Sequence, residues 1–249
     1  MYSSKNAGKN SFSFFESSMR DTLNRQSSME EALKGSIERH EFHVVYQPKY
    51  DICSHSIIGF EALVRWDNAK FEDSTPDEFI PILEQIGLIN EVGMFVLDTA
   101  LKMIKQWRLI TQKPLQMAVN ISPVQFNDQT LFQQIQQKLT KYNLTGHALE
   151  IEITEGILLE ATKELKSTLN DMRSADIGIA LDDFGTGYSS LSYIKDYPIN
   201  SIKIDRSFVD EINKNKTHTK LVKAIISLTH SLNFHVTTKE IECEDQLAT

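Results

Sequence analysis

The chain has 249 residues, of which 41% are hydrophobic and 24% are charged, and it contains 10 Gly and 6 Pro. This composition is typical of a globular domain and excludes collagen-like, disordered and small disulfide-rich proteins. The 34 acidic residues outnumber the 26 basic ones, which gives a net charge of -8. Because no basic block stands out either, duplex nucleic acid is not an expected partner.

The cysteines and the absence of export signals predict the compartment. Cys53 and Cys243 are far apart in the sequence and match neither a disulfide framework nor a zinc-binding spacing. The first residues lack the apolar stretch of a signal peptide, and no run approaches the roughly 18 apolar residues of a membrane span. We expect a cytoplasmic chain that carries no membrane segment.

Short apolar runs, several of them rich in Val and Ile, alternate with helical patterns along the chain. Seven strands are predicted, at residues 42–49, 57–66, 115–121, 149–154, 177–181, 201–204 and 234–238. The most clearly marked helix begins at the capping box Thr75-Pro76-Asp77-Glu78 and is expected to reach about Ile86. Further helices are predicted at about 92–107, 129–139, 164–174, 189–195 and 220–231.

Alternating strands and helices predict a mostly parallel sheet with right-handed crossovers. The pattern itself leaves open whether the sheet is doubly wound or closed as a barrel. About 250 residues is the typical length of a barrel.

Polar and acidic residues lie at the carboxyl ends of the predicted strands, where ligands bind in α/β folds. They are Glu61 and Arg65 on the second strand, Asn120 on the third, Glu152 and Glu155 at the fourth, Asp182 and Asp183 at the fifth, and Lys203 and Asp205 at the sixth. Several inward carboxylates would repel one another unless a cation compensates them. The set therefore predicts a divalent cation, and its oxygen ligands favour Mg²⁺, Mn²⁺ or Ca²⁺ over zinc.

Each of these residues also has a purely structural explanation. An aspartate such as Asp183 at a strand end is often a helix cap or a turn residue. Glu152 and Lys203 lie in simple alternations that are also typical of an exposed strand face. Asn120 can form an Asx turn, and the glycine-rich segment 184–188 lacks the spacing of a dinucleotide or P-loop motif.

Five strings of the sequence, taken in order, carry a family resemblance. They are EALVRW at 61–66, VNIS at 119–122, EITE at 152–155, DDFGTGYSSL at 182–191 and IKIDRSFV at 202–209. Together they closely resemble the EAL domain, a bacterial phosphodiesterase module for cyclic di-GMP, over about residues 37–246. The resemblance implies an α/β fold, a modified (β/α)8 TIM-like barrel with one antiparallel strand. It also implies hydrolysis of cyclic di-GMP to linear pGpG by two-metal catalysis with Mg²⁺ or Mn²⁺.

The resemblance assigns roles to individual positions. It implies one metal ion on Glu61, Asn120, Glu152 and Asp182, and a second on Asp182 and Asp183. The catalytic residues that it implies are Lys203, which orients water or screens charge, Glu155, which holds the DDFGTG loop, and Glu242. The residues that it implies for holding the dinucleotide are Gln47, Leu63 and Arg65.

The chain departs from the family pattern at the seventh strand, which normally ends in a string such as V-x-AEGVE. Lys239 stands where the first glutamate belongs and Glu240 where the glycine belongs, whereas Glu242 matches the second glutamate. An ammonium group in place of a carboxylate repels a dication. We therefore expect a doubtful second metal site and strongly reduced hydrolysis. The alternative is a receptor that binds cyclic di-GMP without cleaving it, or a protein-interaction domain.

The two ends of the chain suggest its domain organisation. Residues 1–15 resemble the end of a GGDEF domain, the diguanylate cyclase module that often precedes an EAL domain. Residues 16–40 are then a helical connector, or alternatively just an N-terminal amphipathic helix, and residues 41–249 are the EAL domain. The family's eighth strand is missing from this chain, which ends at Thr249. We therefore expect the EAL domain to be incomplete at its carboxyl end, and we expect this truncation, like Lys239, to impair activity. The predicted partners are cyclic di-GMP and an upstream GGDEF domain in a parent protein that could be membrane-attached, and a homodimer is left open.

Overall fold

The computed structural model describes residues 17–159, 162–185, 194, 196–210, 212 and 216–239. Its strands are β1 (Phe42–Asp51), β2 (Ser56–Trp66), β3 (Gln116–Asn120), β4 (Leu149–Thr154), β5 (Gly178–Phe184), β6 (Ser201–Ile204) and β7 (His235–Thr238). Its α-helices are α1 (Ser17–Leu33), α2 (Pro76–Gln85), α3 (Ile89–Thr111), α4 (Leu131–Lys141), α5 (Glu155–Leu159), α6 (Lys163–Ser174), α7 (Arg206–Asp210) and α8 (Lys216–Ser231). Short 3-10 helices lie at Pro123–Asn127 and Gly146–Ala148.

The seven strands form one sheet in the order β1-β2-β3-β4-β5-β6-β7. Each adjacent pair of strands from β2 to β7 is parallel, and the sheet also has one antiparallel pair. The prediction of a mostly parallel sheet with one antiparallel strand is therefore confirmed. Parallel order brings the carboxyl ends of β2 to β6 to one edge, and the predicted site residues of these strands lie within them or directly after them.

The predicted elements agree closely with the structure. Strands β4 and β6 have the predicted limits, and α2 begins at Pro76 after a capping box in which Thr75 and Glu78 bond each other's backbone. The five-residue helices α5 and α7 were not predicted, because they are too short to show a helical period. Most of the helix predicted at 189–195 lies outside the described residues, as does the predicted GGDEF remnant at 1–15.

The chain divides into two compact units, and residues 1–42 and 66–88 form the first. Its described core is aromatic, with the ring of Trp66 stacked on Phe71 at 5.5 Å between centroids and packed edge-on against Phe79 at 6.0 Å. Helix α1 contributes the fully buried Met29. Arg25 joins α1 to α2 by donating hydrogen bonds to both carboxylate oxygens of Glu78, at 3.1 and 3.2 Å.

A partly buried carboxylate organises the polar contacts of this first unit. Glu41 accepts hydrogen bonds from Trp66 Nε1 at 3.0 Å, from Asn68 Nδ2 at 3.1 Å and from the guanidinium of Arg39. The bond from Arg39 is the main reason why the pKa of Glu41 lies below its ordinary value of 4.5. Charged hydrogen bonds of this kind stabilise the folded state only while the carboxylate is ionised.

Replacing Glu41 with glutamine is expected to lower the free energy of unfolding by about 1–2 kcal/mol at pH 7. Because the folded pKa is lowered, the unfolded chain binds the proton more readily, so the wild-type advantage is present above pH 4.5 and is lost as pH falls through the folded value. Denaturant unfolding at pH 7 and at successively lower pH, followed by Trp66 fluorescence in a Trp107→Phe background, measures this difference. Glu72→Gln, at an exposed position, is the matched control. If Glu41→Gln lowered the free energy of unfolding equally at every pH, the stabilisation would not come from the ionised form of Glu41.

Residues 43–65 and 89–249 form the second unit, which holds the sheet. Helix α3 packs Trp107 against Phe60 at 4.2 Å and against Tyr46 at 5.0 Å between ring centroids. Successive residues of a strand point to opposite faces, so Glu61 projects from the face opposite Phe60. Among the described residues, no helix combines the length and the apolar character needed to span a membrane.

Candidate metal centre

Three carboxylates meet on one face of the sheet at its carboxyl edge. Glu61, Glu152 and Asp182 each offer an oxygen, and these oxygens lie within 4.8 Å of one another. Asn120 is paired in register with Glu152 on the neighbouring strand, and its Nδ2 donates a hydrogen bond of 2.9 Å to Glu61 Oε1. The structure therefore brings together the four residues predicted to bind the first metal ion.

The ammonium group of Lys203 lies inside this cluster. Its Nζ donates to Glu61 Oε2 at 2.9 Å and to Asp182 Oδ2 at 3.4 Å, and it makes a short contact with Glu152 Oε2. Glu152 is fully buried and Lys203 is only 2% exposed. The alternative interpretation, in which both residues lie on an exposed strand face, is therefore excluded. Burial on both faces of β4 and β6 places these charges where an unpaired one is costly.

A bulge in β5 turns two neighbouring aspartates toward the same cation. The register between β5 and β6 shifts between Leu181 and Phe184, and Asp183 has a φ of 55°, in the left-handed region. In a regular strand Asp182 and Asp183 would face opposite sides. Here Lys239 Nζ lies 2.7 Å from Asp182 Oδ1 and 2.8 Å from Asp183 Oδ1. The bulge therefore forms a two-carboxylate pocket that the ammonium group of Lys239 occupies.

The charges of the cluster perturb one another's proton affinities. Burial raises the pKa of Glu152, with Glu61 and Asp182 adding to the effect and Lys203 opposing it. Burial acts in the same direction on Glu61, but Lys203 and Asn120 outweigh it and lower the pKa of Glu61 to about 2. The two carboxylates differ because Glu152 is fully enclosed, whereas the side chain of Glu61 is 14% exposed and hydrogen-bonded to Asn120.

Lys203 and Lys239 both stay charged. Burial favours the neutral form of each, but the carboxylates around Lys203 outweigh it and raise the pKa of Lys203 above its ordinary value. Asp182 and Asp183 raise the pKa of Lys239 in the same way. The edge of the sheet therefore carries two fixed ammonium groups among its carboxylates.

The donor set fits one hard divalent cation. Carboxylate and amide oxygens are the ligands that Mg²⁺, Mn²⁺ and Ca²⁺ prefer. Glu152 Oε1 is buried and accepts no hydrogen bond from the described residues, and Lys49 Nζ lies 3.6 Å from it. The pocket predicted for a second cation does not fit one, because the ammonium group of Lys239 already lies within 3 Å of an oxygen of each of its two aspartates and would repel a dication.

The remaining predicted residues lie around this centre or outside the described part. Gln47 on β1 is exposed, and strand alternation puts Leu63 and Arg65 on the same face of β2 as Glu61. Glu155 begins α5, and its buried carboxylate has no hydrogen-bond partner among the described residues. Asp205 caps α7 through a 2.9 Å bond from the backbone N–H of Ser207. Glu240 and Glu242 lie outside the described residues.

Three residues next to the site were missed from the sequence, namely Lys49, Glu150 and Ser201. Lys49 donates to both oxygens of the buried Glu150, at 3.1 and 3.3 Å, and Ser201 Oγ lies 3.3 Å from Glu150 Oε1. Glu150 and Ser201 each lie two residues before a member of the cluster, and residues two apart share a strand face. That spacing is the signal in the sequence for a second polar layer beneath Glu152 and Lys203.

Replacing Lys49 with glutamine is expected to destabilise the protein by about 2–3 kcal/mol, because Glu150 would keep a buried charge without its cation. Thermal or denaturant unfolding measures the loss. Lys102→Gln, an exposed lysine on α3, is the matched control and should change stability by less than about 0.5 kcal/mol. Equal stability of the two variants would contradict a structural role for the pair.

Comparison with known proteins identifies the family of the chain. A sequence model of the EAL domain matches residues 30–249. The chain is 34% identical over 246 residues to the bifunctional diguanylate cyclase/cyclic di-GMP phosphodiesterase MucR of Pseudomonas aeruginosa, a match that covers 99% of this chain and 36% of MucR. It is 33% identical to the oxygen sensor protein DosP of Escherichia coli, covering 98% of this chain and 30% of DosP. The chain thus spans about a third of the length of these relatives.

A solved structure agrees as well. The MucR phosphodiesterase in complex with c-di-GMP superposes with a TM-score of 0.83 at 32% identity, covering 89% of this chain and 90% of that one. The expected TIM-like barrel fold with one antiparallel strand is confirmed by this likeness. Together with the family match over most of the sequence, it shows that the chain belongs to the EAL domain family.

Proposed function

We propose that this chain binds cyclic di-GMP at the carboxyl edge of its sheet and hydrolyses it to linear pGpG, at a rate that Lys239 lowers strongly. The observation that carries this proposal is the meeting of Glu61, Glu152, Asp182 and Lys203 at one strand edge. Glu61, Asn120, Glu152 and Asp182 would hold one Mg²⁺ or Mn²⁺. When bound, that ion would act as a Lewis acid that polarises a phosphate oxygen.

The chain's own groups supply the rest of the chemistry. The ligand is an anion and the protein has a net charge of -8, so local cations must attract the phosphates. Lys203 is held charged by the carboxylates and would offset the negative charge that develops at the phosphorus. Gln47, Leu63 and Arg65 would hold the dinucleotide, and Glu155 would fix the loop after β5.

A second candidate is a receptor that binds cyclic di-GMP without cleaving it. The ion pairs of Lys239 with Asp182 and Asp183 favour this candidate, because a second divalent cation would have to displace a charged ammonium group. The two candidates share the same ligand and differ only in turnover.

One experiment separates them. Calorimetric titration with cyclic di-GMP in Ca²⁺ measures binding, and chromatography of pGpG formed in Mn²⁺ measures hydrolysis. Binding with slow, metal-dependent turnover supports the proposed enzyme, and binding alone supports the receptor. Glu152→Gln should abolish both the binding measured in Ca²⁺ and the pGpG formation measured in Mn²⁺. Glu72→Gln, at an exposed position, should leave both unchanged. Absence of binding by the wild type would overturn both candidates.

The relatives also support the proposed domain organisation. The name of MucR combines diguanylate cyclase and phosphodiesterase activities, and the chain covers 36% of its length. We propose the same kind of cyclase module upstream of residue 16 in a parent protein.

A further inference from the structure

The position of Lys239 is determined by the sheet. Strands β6 and β7 pair in register, with Lys203 opposite Thr237 and Ile204 opposite Thr238. The backbone N–H of Lys239 then donates to the carbonyl oxygen of Ile204 at 3.4 Å. The side chain leaves the end of β7 at the level of the bulge in β5, where it is 24% exposed and contacts Asp182 and Asp183.

The charges joined by these contacts balance a single divalent cation. The acidic members are Glu61, Glu152, Asp182 and Asp183. With all four carboxylates ionised, as ligands of a cation are, the ammonium groups of Lys203 and Lys239 neutralise two of these four charges, so an excess of two negative charges remains. The pair of Lys49 and Glu150 beneath adds no net charge. A glutamate at position 239 would instead leave an excess of four negative charges, which two divalent cations balance.

An ammonium group is not equivalent to a second metal ion. It donates hydrogen bonds and carries one charge, but it accepts no electron pair and does not coordinate a phosphate oxygen or water. It also holds both aspartate oxygens in the absence of any added ion, so that half of the site is already organised in the chain itself.

We propose that the centre is mononuclear, with the ammonium group of Lys239 as a built-in replacement for the second divalent cation. This inference rests on the proposed metal centre of the cyclic di-GMP site. It gives the chain a stoichiometry of one divalent cation, bound on the side of Glu61 and Glu152.

The test measures metal binding without turnover. The whole chain is titrated with Mn²⁺ alone, by calorimetry and by electron paramagnetic resonance, for the wild type, Lys239→Glu and Lys220→Glu. Lys220 is exposed on α8 and controls for the change of charge. The wild type and Lys220→Glu are expected to bind one Mn²⁺ with the spectrum of an isolated ion, and Lys239→Glu to bind two with the spectrum of a coupled pair.

Two Mn²⁺ ions in the wild type, or one in a folded Lys239→Glu, would overturn the inference. Circular dichroism checks the fold, and if Lys239→Glu does not fold, Lys239→Gln replaces it and is expected to gain a second, weaker ion. The titrations contain no cyclic di-GMP. A chain with one Mn²⁺ that does not bind the dinucleotide would therefore refute the proposed function and leave the mononuclear centre standing.

Discussion

The double variant Lys239→Glu/Glu240→Gly is expected to hydrolyse cyclic di-GMP about 100-fold faster than the wild type. The wild-type ammonium group lies within 3 Å of two aspartate oxygens, where it repels a divalent cation. One pair of unit charges 4 Å apart is worth about 4 kcal/mol at an effective dielectric near 20. Recovery of about 3 kcal/mol of that energy in the transition state corresponds to about a 100-fold increase in rate. Formation of pGpG in saturating Mn²⁺ measures the effect.

Substitutions at other charged positions are the controls for this gain in the rate of hydrolysis. Lys220→Glu makes the same change of charge on the exposed side of α8 and should leave the rate unchanged. Adding Glu152→Gln to the double variant should remove the gain in rate, because it removes a proposed ligand of the remaining metal ion. Equal rates for the wild type and the double variant would refute the explanation of low activity by Lys239.

Lys203→Met is expected to lower the free energy of unfolding of the metal-free protein by about 3–5 kcal/mol. It removes the cation that contacts Glu61, Glu152 and Asp182 and leaves three enclosed carboxylates to repel one another. For a chain of this size each kcal/mol shifts Tm by about 2–4 °C, so a decrease of about 10 °C is expected. Differential scanning calorimetry without divalent cations measures it.

Metal ions should reverse this defect. A divalent cation can replace the missing positive charge, so Mn²⁺ is expected to raise the Tm of Lys203→Met by more than that of the wild type. Lys223→Met, on the exposed side of α8, should behave like the wild type with and without the ion. If the Tm of Lys203→Met equals that of the wild type in the absence of metal, the ammonium group is not required for the stability of the cluster.

The strand limits and the site edge could be predicted because they depend on local patterns. The apolar alternation of 149–154 is bounded on both sides, and β4 has those limits. Whether Glu152 was buried could not be decided from its own strand, because burial depends on β3 and β5 beside it. The family resemblance supplied that missing information by joining Glu152 to Glu61 and Asp182.

Features that depend on backbone irregularity or distant packing were not predictable. The positive φ of Asp183 accompanies a bulge, but an aspartate at a strand end is equally compatible with a helix cap or an ordinary turn, so the residue type alone does not predict the bulge. Lys49 lies 101 residues from Glu150, and only the arrangement of the strands brings them together. The sequence indicated an exchange of charge at Lys239, but the structure was needed to find that both aspartates contact it.

The Lys49 and Glu150 pair forms a neutral floor beneath the carboxylates. A cation that enters from the strand ends would be attracted by the carboxylates down to the level of Glu152. Below that level the ammonium group of Lys49, which is paired with Glu150, would repel it. Deeper migration would bring like charges together in a poorly hydrated interior. The depth at which the proposed ion would stop is thus set from below, which would keep it within reach of a phosphate of the proposed ligand.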